Sequence, residues 1–310
     1  MTIGIVGAGN VGVGVADALV FLGIGKKIIL YNRHIDKALG EVWDLNDCVP
    51  LTKGDMVIKA TDRLEDLKEA CVIVITVGAK QKPGETRLDL LDKNYFIIKD
   101  IIEKLDKVND KAVIIMVTNP VDILTRVALK ISKRDKNLIF GSGTVLDSSR
   151  LREAIGEKIG VDRKNIHAYV IGEHGDSEFV LWSACRIGPV GLESFDISNL
   201  REFKKDIEVG VRRRAYDIIE KKGFTKQAIG VAVANIVRSV INDEKSVYTI
   251  SSSIDASCGC VRGEVCLSLP CVIGKRGVER KLLLKCYEDE FELLKSSAKK
   301  LDEIYSKLNM

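Results

Sequence analysis

Histidine is scarce here: the 310-residue chain has three, His34, His167 and His174. No two of its eight cysteines are spaced Cys-x-x-Cys, and the one close pair, Cys258-Gly259-Cys260, has no histidine near it. A zinc set is therefore not predicted, and no metal centre is expected. The other six are Cys48, Cys71, Cys185, Cys266, Cys271 and Cys286, and some lie inside apolar runs, as Cys71 does before Val72-Ile73-Val74. That pattern suits buried, reduced thiols in a cytoplasm; a redox role for Cys258 and Cys260 is the weaker reading. Long apolar runs are also missing. The stretch Ala112 to Val117 is far short of the ~18 residues that suggest a membrane span. No dense Lys/Arg block occurs and the net charge is only +4, which argues against nucleic acid as a partner. The first strand-like run begins at Thr2, leaving no room for a signal peptide, so an intracellular protein is expected. There is no internal repeat, low-complexity tract or Pro/Ser linker.

What is present reads as alternating strands and helices. Ile3-Gly4-Ile5-Val6 is β-branched and apolar. It leads into Gly7-Ala8-Gly9-Asn10-Val11-Gly12, after which Val15, Ala18, Leu19 and Leu22 recur at helical spacing. This strand, glycine turn and helix match a dinucleotide-binding fingerprint. The first glycine makes the turn, the second lets the backbone approach a pyrophosphate, and the third lets helix and strand pack closely. The helix N-terminus offers free N–H groups to phosphate. Further strands are predicted at Lys27–Tyr31, near Met56–Lys59, at Cys71–Thr76, at Ala112–Thr118 and at Leu138–Phe140, with helices over about 36–48, 92–107 and 121–133. Unbroken apolar strands suit a parallel sheet covered on both faces. Lys80 to Arg87 reads as a polar loop able to close over a site.

After Gly141 the texture changes. A helix is predicted over Val145–Ile159, a strand at Ile166–Ile171, helices over about 198–222 and 226–241, strands at 247–252, 265–269 and 271–274, and a terminal helix over about 288–308. The fold expected is α/β: an N-terminal Rossmann domain, 1–141, with a doubly wound parallel sheet, and a mixed α+β catalytic domain, 142–310. His174 sits in Ile171-Gly172-Glu173-His174-Gly175-Asp176-Ser177, just after a strand. Only histidine changes charge near neutrality without a strong environmental shift, and a nearby carboxylate would raise its pKa and fix one tautomer. A lone His-Gly reads more simply as a solvated turn; the rest of the chain favours function. Asp147 and Arg150, three apart, share a helix face.

Five motifs in order carry a resemblance that runs nearly end to end. They are Gly7-Ala8-Gly9-Asn10-Val11-Gly12, Gln81-Lys82-Pro83-Gly84-Glu85-Thr86-Arg87, Thr118-Asn119-Pro120-Val121-Asp122, Gly141-Ser142-Gly143-Thr144-x-Leu146-Asp147-x-x-Arg150 and Gly172-Glu173-His174-Gly175-Asp176. With these the chain resembles the L-lactate dehydrogenases of the lactate/malate dehydrogenase family. The resemblance implies a cytoplasmic, glycolytic oxidoreductase that moves hydride between a nicotinamide cofactor and a small 2-oxo acid, pyruvate, with L-lactate as the reduced form. A broader L-2-hydroxyacid dehydrogenase and a malate dehydrogenase are the alternatives.

The resemblance also implies roles. His174 exchanges a proton with the substrate oxygen and Asp147 orients it. Arg150 pairs with the substrate carboxylate. Arg87 polarises the carbonyl, where hydride transfer builds negative charge. Asn119 bridges substrate and nicotinamide, Ser142 and Ile229 lie against the nicotinamide, and Thr225 lines the pocket. Thr76, Gly78 and Ala79 join the glycine turn in holding the cofactor. At position 81 the family's malate enzymes carry arginine; Gln81 offers no charge to a second carboxylate, which favours pyruvate over oxaloacetate.

Two departures stand out. Where an NAD enzyme carries a ribose-binding acid, this chain has Asn32-Arg33. Either Asn32 bonds the ribose of NAD and Arg33 is solvated, or the pair accepts the 2′-phosphate of NADP. Lys226-Gln227 follows Thr225, where a reshaped pocket end is expected. Arg152 and His167 match positions that bind fructose bisphosphate in allosteric relatives; a structural anion site is the equal alternative. A homotetramer or homodimer is implied, without the N-terminal arm of some tetrameric relatives.

Overall fold

The computed structural model describes residues 1–52, 54–79, 87–255, 263–282 and 285–308, without the side chains of 87–89. Six parallel strands come first: β1 (Thr2–Val6), β2 (Lys27–Tyr31), β3 (Val57–Thr61), β4 (Ala70–Ile75), β5 (Val113–Met116) and β6 (Ile139–Gly141). Between them run α1 (Asn10–Phe21), α2 (Ile35–Cys48), α3 (Arg87–Val108) and α4 (Val121–Ile131). The parallel strands stand in the order β3-β2-β1-β4-β5-β6, two halves wound outward from β1 and β4. Crossovers in opposite directions leave a crevice at the carboxyl ends of those two central strands.

Strand alternation explains why both sheet faces are apolar. Ile73 and Ile75 of β4 join one core with Leu91, Ile98 and Ile102 of α3 and Leu124 of α4. Val72 and Val74 point the other way, to Val15 and Leu19 of α1. The same core includes Val233 and Val237 of α7 (Gln227–Ile241). All twelve residues are 2% exposed or less. Each such aliphatic side chain stabilises the fold by about 1.5–3 kcal/mol relative to exposure.

The later half adds α5 (Val145–Ile159), β7 (Ile166–His167), β8 (Val170–Ile171), β9 (Phe179–Val180), β10 (Arg186–Ile187) and α6 (Leu200–Lys222). After α7 come β11 (Ser246–Ile254), β12 (Val265–Gly274), β13 (Gly277–Lys281) and α8 (Glu288–Tyr305). β11 lies antiparallel to β6 with Ser251 opposite Gly141, and β12 and β13 follow, so one sheet of nine strands continues past the boundary expected at 141. A separate core joins Leu151 and Ile155 of α5 to Ile207 and Val211 of α6.

Four elements differ from expectation. The helix read from residue 92 begins at Arg87, because Leu91, Tyr95, Ile98, Ile102 and Leu105 form one buried stripe and no breaker intervenes. The strand expected over 166–171 is two: β7 pairs with β10 and β8 with β9, and the chain changes partner at Ala168 and Tyr169. β12 runs through Pro270, which removes one donor from the ladder without ending it. β13 was not anticipated; its Glu279, Arg280 and Lys281 give it no apolar alternation, the habit of an edge strand.

Candidate active site

The glycine turn is fixed by close approach. A Cβ on Gly12 would lie 1.8 Å from the Gly7 carbonyl oxygen, so no other residue lets α1 sit this near β1. Gly7, at φ +116°, makes the turn and donates its N–H to the Tyr31 oxygen at 2.8 Å. A Cβ on Gly9 would meet nothing within 4 Å. No side chain caps α1, so the first-turn N–H groups, from Asn10, Val11 and Gly12, remain available to an anion.

Neighbouring strand ends bring the other expected cofactor positions to the same edge. Thr76 follows β4, and its hydroxyl bonds the carbonyls of Val6 and Gly7 at 3.2 and 3.1 Å, bracing the turn from behind. Gly78 packs against Thr118, whose hydroxyl donates to the Val77 carbonyl at 2.6 Å. Asn119 follows β5 and is exposed. Ser142 follows β6, and its N–H donates to Met116 at 2.8 Å. Thr225 and Ile229 are half-buried at the start of α7. At the end of β2, Asn32 accepts from the Ala8 N–H at 3.4 Å and donates to the His34 carbonyl at 2.9 Å, while Arg33 is exposed.

One residue here escaped sequence reasoning. Asn94 on α3 is 2% exposed. Its Oδ1 accepts from the Ala79 N–H at 2.7 Å and its Nδ2 donates to the Asn119 carbonyl at 3.1 Å, stitching the ends of β4 and β5 together. A polar residue in the apolar stripe of α3 was the available signal. Asn94→Ala leaves two backbone groups unpaired, and a loss of about 2 kcal/mol is expected in denaturant unfolding, with higher KM for both dinucleotide and substrate.

The His174 loop is held from three sides. The His174 N–H donates to Asp122 Oδ2 on α4 at 2.7 Å, the Glu173 N–H donates to Ser297 Oγ on α8 at 2.7 Å, and Gly172 exchanges backbone bonds with Ser268 of β12. Asp147, in the first turn of α5 and 2% exposed, faces the ring. Its Oδ2 lies 2.7 Å from His174 Nδ1 and its Oδ1 accepts from Arg150 Nη1 at 2.7 Å. One carboxylate thus fixes the imidazole tautomer and one edge of a guanidinium. His174 Nε2 and the remaining Arg150 donors stay available for a ligand.

Electrostatics follow from this packing. Burial would push the Asp147 carboxyl up, but His174 and Arg150 outweigh it and hold it below the ordinary carboxylate value. Burial would lower the His174 pKa; the Asp147 carboxylate outweighs that, helped by Asp122 and Glu178, and lifts it from 6.5 to about 9. Burial also raises Asp122, to about 6. His174 is therefore cationic at neutral pH, beside the Arg150 guanidinium that shares its carboxylate.

Other expectations fare differently. The Lys226 Nζ pairs with Asp17 of α1 at 2.9 Å, and Gln227 accepts from Lys222 at 2.7 Å. Arg152 on α5 donates to the Ser148 carbonyl at 3.3 Å, and His167 is exposed opposite Arg186 of β10. Gln81, Lys80, Lys82, Cys258, Cys260 and the side chain of Arg87 lie outside the described residues. Cys48, Cys71, Cys185, Cys266, Cys271 and Cys286 are free thiols. No helix among the described residues is long and apolar enough to cross a membrane.

Comparison with known proteins gives a consistent result. The family model for the lactate/malate dehydrogenase NAD binding domain matches residues 1–141, and that for the lactate/malate dehydrogenase alpha/beta C-terminal domain matches residues 144–309. An L-lactate dehydrogenase from Thermoanaerobacterium saccharolyticum is 42% identical over 313 residues, covering 99% of each chain. One from Thermoanaerobacter sp. (strain X514) is 41% identical over 314 residues, again covering 99% of each. The crystal structure of a lactate dehydrogenase from a Medee basin deep-sea metagenome library superposes with a TM-score of 0.94 at 36% identity, covering 98% of each chain.

Proposed function

Since the chain belongs to the lactate/malate dehydrogenase family, we propose that it interconverts pyruvate and L-lactate, dividing into a dinucleotide-binding domain over 1–141 and a catalytic domain over 142–310. The observation that carries this is Asp147 bound at 2.7 Å to both His174 and Arg150. A proton donor and a carboxylate clamp are then fixed to one anchor. His174 gives its Nε2 proton to the carbonyl oxygen in reduction and takes it back in oxidation. Arg150 holds the substrate carboxylate, and Arg87 steadies the developing oxyanion. Asn119 and Thr225 complete the substrate pocket with Gln81.

The residues present fit a nicotinamide dinucleotide: an open face at Gly9, uncapped N–H groups at Asn10, Val11 and Gly12, and Thr76, Gly78, Ala79, Ser142 and Ile229 at the same edge. When bound, the dinucleotide supplies or accepts the hydride at the substrate's C2. Both NADH and NADPH are accepted on this reading. The segment that follows β2, Asn32-Arg33-His34, carries no carboxylate to repel a 2′-phosphate, and Arg33 has no ion-pair partner among the described residues. The test is pyruvate reduction with each cofactor at matched concentrations. Turnover with both is expected, and Arg33→Gln should lower kcat/KM for NADPH about tenfold or more with little change for NADH. NADH use alone makes Arg33 a surface residue; no turnover with either removes the lactate assignment.

Trp43 on α2 and Tyr216 and Ile219 on α6 are 65%, 52% and 48% exposed in the single chain, which supports a homodimer or homotetramer. The free thiols support a cytoplasmic setting. Arg152 and His167 remain candidates for an anion site, as effector or structural ligands.

A further inference from the structure

Glu178 closes the turn after His174, with its N–H on the Gly175 carbonyl at 3.1 Å, and is 7% exposed. Its carboxylate takes part in no hydrogen bond among the described residues. A carboxylate oxygen of Glu178, one of Asp147 and a ring nitrogen of His174 all lie within 4.8 Å of one another. A solvated turn acid would not point inward at a second carboxylate, because desolvation and like charge both oppose it.

We propose that Glu178 is a second carboxyl of the proton relay, a positioning residue that sets the pH at which His174 gains and loses its proton. The inference rests on His174 being the proton donor. The groups around Glu178 come from each neighbouring element. Asp147 and Arg150 face it from α5, with Arg150 already bound to Asp147. From α6 come Glu208, engaged by the Trp182 indole N–H, and Arg212, which donates to the Glu178 carbonyl at 3.3 Å and whose buried Nε has no partner among the described residues. Asp122 of α4 holds the His174 backbone on the other side. Burial, then the Asp147 charge, raise Glu178 to about 8, while His174, Arg212 and Arg150 pull it down. Its titration therefore overlaps that of His174, and the two lose protons as a pair in two macroscopic steps. While Glu178 is charged it favours imidazolium, so the enzyme keeps a loaded proton donor further into alkaline pH.

The scarcity of histidine makes this directly measurable. In protein carrying ¹⁵N-labelled histidine, three ring systems are seen, and His174→Asn identifies the one of interest. The wild-type His174 signal should titrate in two steps, and Glu178→Gln should leave one step with its midpoint lower by about one pH unit. Glu178→Ser provides the same test should the glutamine variant not fold, and the wild-type titration needs no Glu178 variant. In kinetics, the alkaline fall of kcat/KM for pyruvate and the alkaline rise for lactate should move to lower pH together by that amount. A residue that only packs against Arg212 would change rates evenly across pH. A single-step titration with an unmoved midpoint, or both limbs unmoved, overturns the proposal. Absence of pyruvate turnover in the wild type overturns the functional reading instead, and the His174 titration still reports on Glu178.

Discussion

Replacing His174 by asparagine should lower kcat for pyruvate reduction by about 10²–10⁴-fold, the contribution of a positioned general acid, while binding of NADH, followed by its fluorescence, persists. Asparagine keeps the backbone N–H that Asp122 holds at 2.7 Å and can still face Asp147, so the loop is retained and the proton alone is lost. The pH profile separates this from a folding defect. Reduction needs imidazolium, so wild-type kcat/KM for pyruvate should be level at neutral pH and fall as pH rises through about 9, the value to which Asp147 lifts His174 against its burial. Oxidation of lactate needs the neutral ring and should rise through the same pH. In the variant both limbs vanish. A variant that retains near-wild-type kcat with an unchanged limb removes His174 from the chemistry.

Gln81→Arg should exchange one substrate for another. With Gln81 in the substrate pocket, as proposed, a dicarboxylate would leave one charge unpaired, which costs several kcal/mol in effective terms. An arginine there pairs it through two parallel N–H donors. Because each 1.36 kcal/mol is a factor of ten in rate, kcat/KM for oxaloacetate should rise about 10²-fold or more relative to pyruvate. The measurement is paired initial rates on the two acids. An unchanged ratio takes substrate choice away from residue 81 and gives it to its neighbours Lys80 and Lys82.

The sequence carried the local half of this molecule well. The helix over Val145–Ile159 and the turn Gly7 to Gly12 are set by spacing and by Gly12, whose replacement would collide with the Gly7 carbonyl, signals that lie within one segment. The pairing of His174 with Asp147 was legible as motif, and its geometry follows from where α5 starts. Asn94 and Ser297 act on backbone 15 to 124 residues away in the chain, so nothing in their immediate neighbours announces them; Asp122 and Glu178 stand in or beside motif segments, but their contacts to the His174 loop and to Asp147 are set by the tertiary fold. The change of partner between β7 and β8 is hidden for the same reason: Ile166 to Ile171 is uniformly strand-like, and only the tertiary fold decides which half pairs with β10 and which with β9. The ion pair of Lys226 is hidden in the same way, because its partner, Asp17, lies about two hundred residues earlier in the chain, on α1.

The contact between α1 and α7 has a practical meaning for redesign. A Cβ on Gly230 would lie 2.1 Å from the Gly14 carbonyl oxygen, and the Lys226–Asp17 ion pair closes the same seam. The helix that starts at the glycine turn and the helix that starts beside Thr225 are thus one mechanical part. Enlarging the pocket by shifting the start of α7 drags the dinucleotide cradle with it, so acid preference and cofactor affinity are inherited together. A library that diversifies 225–229 alone will select for mutations that leave this seam still, and changes of substrate will come from side-chain shape far more readily than from backbone movement.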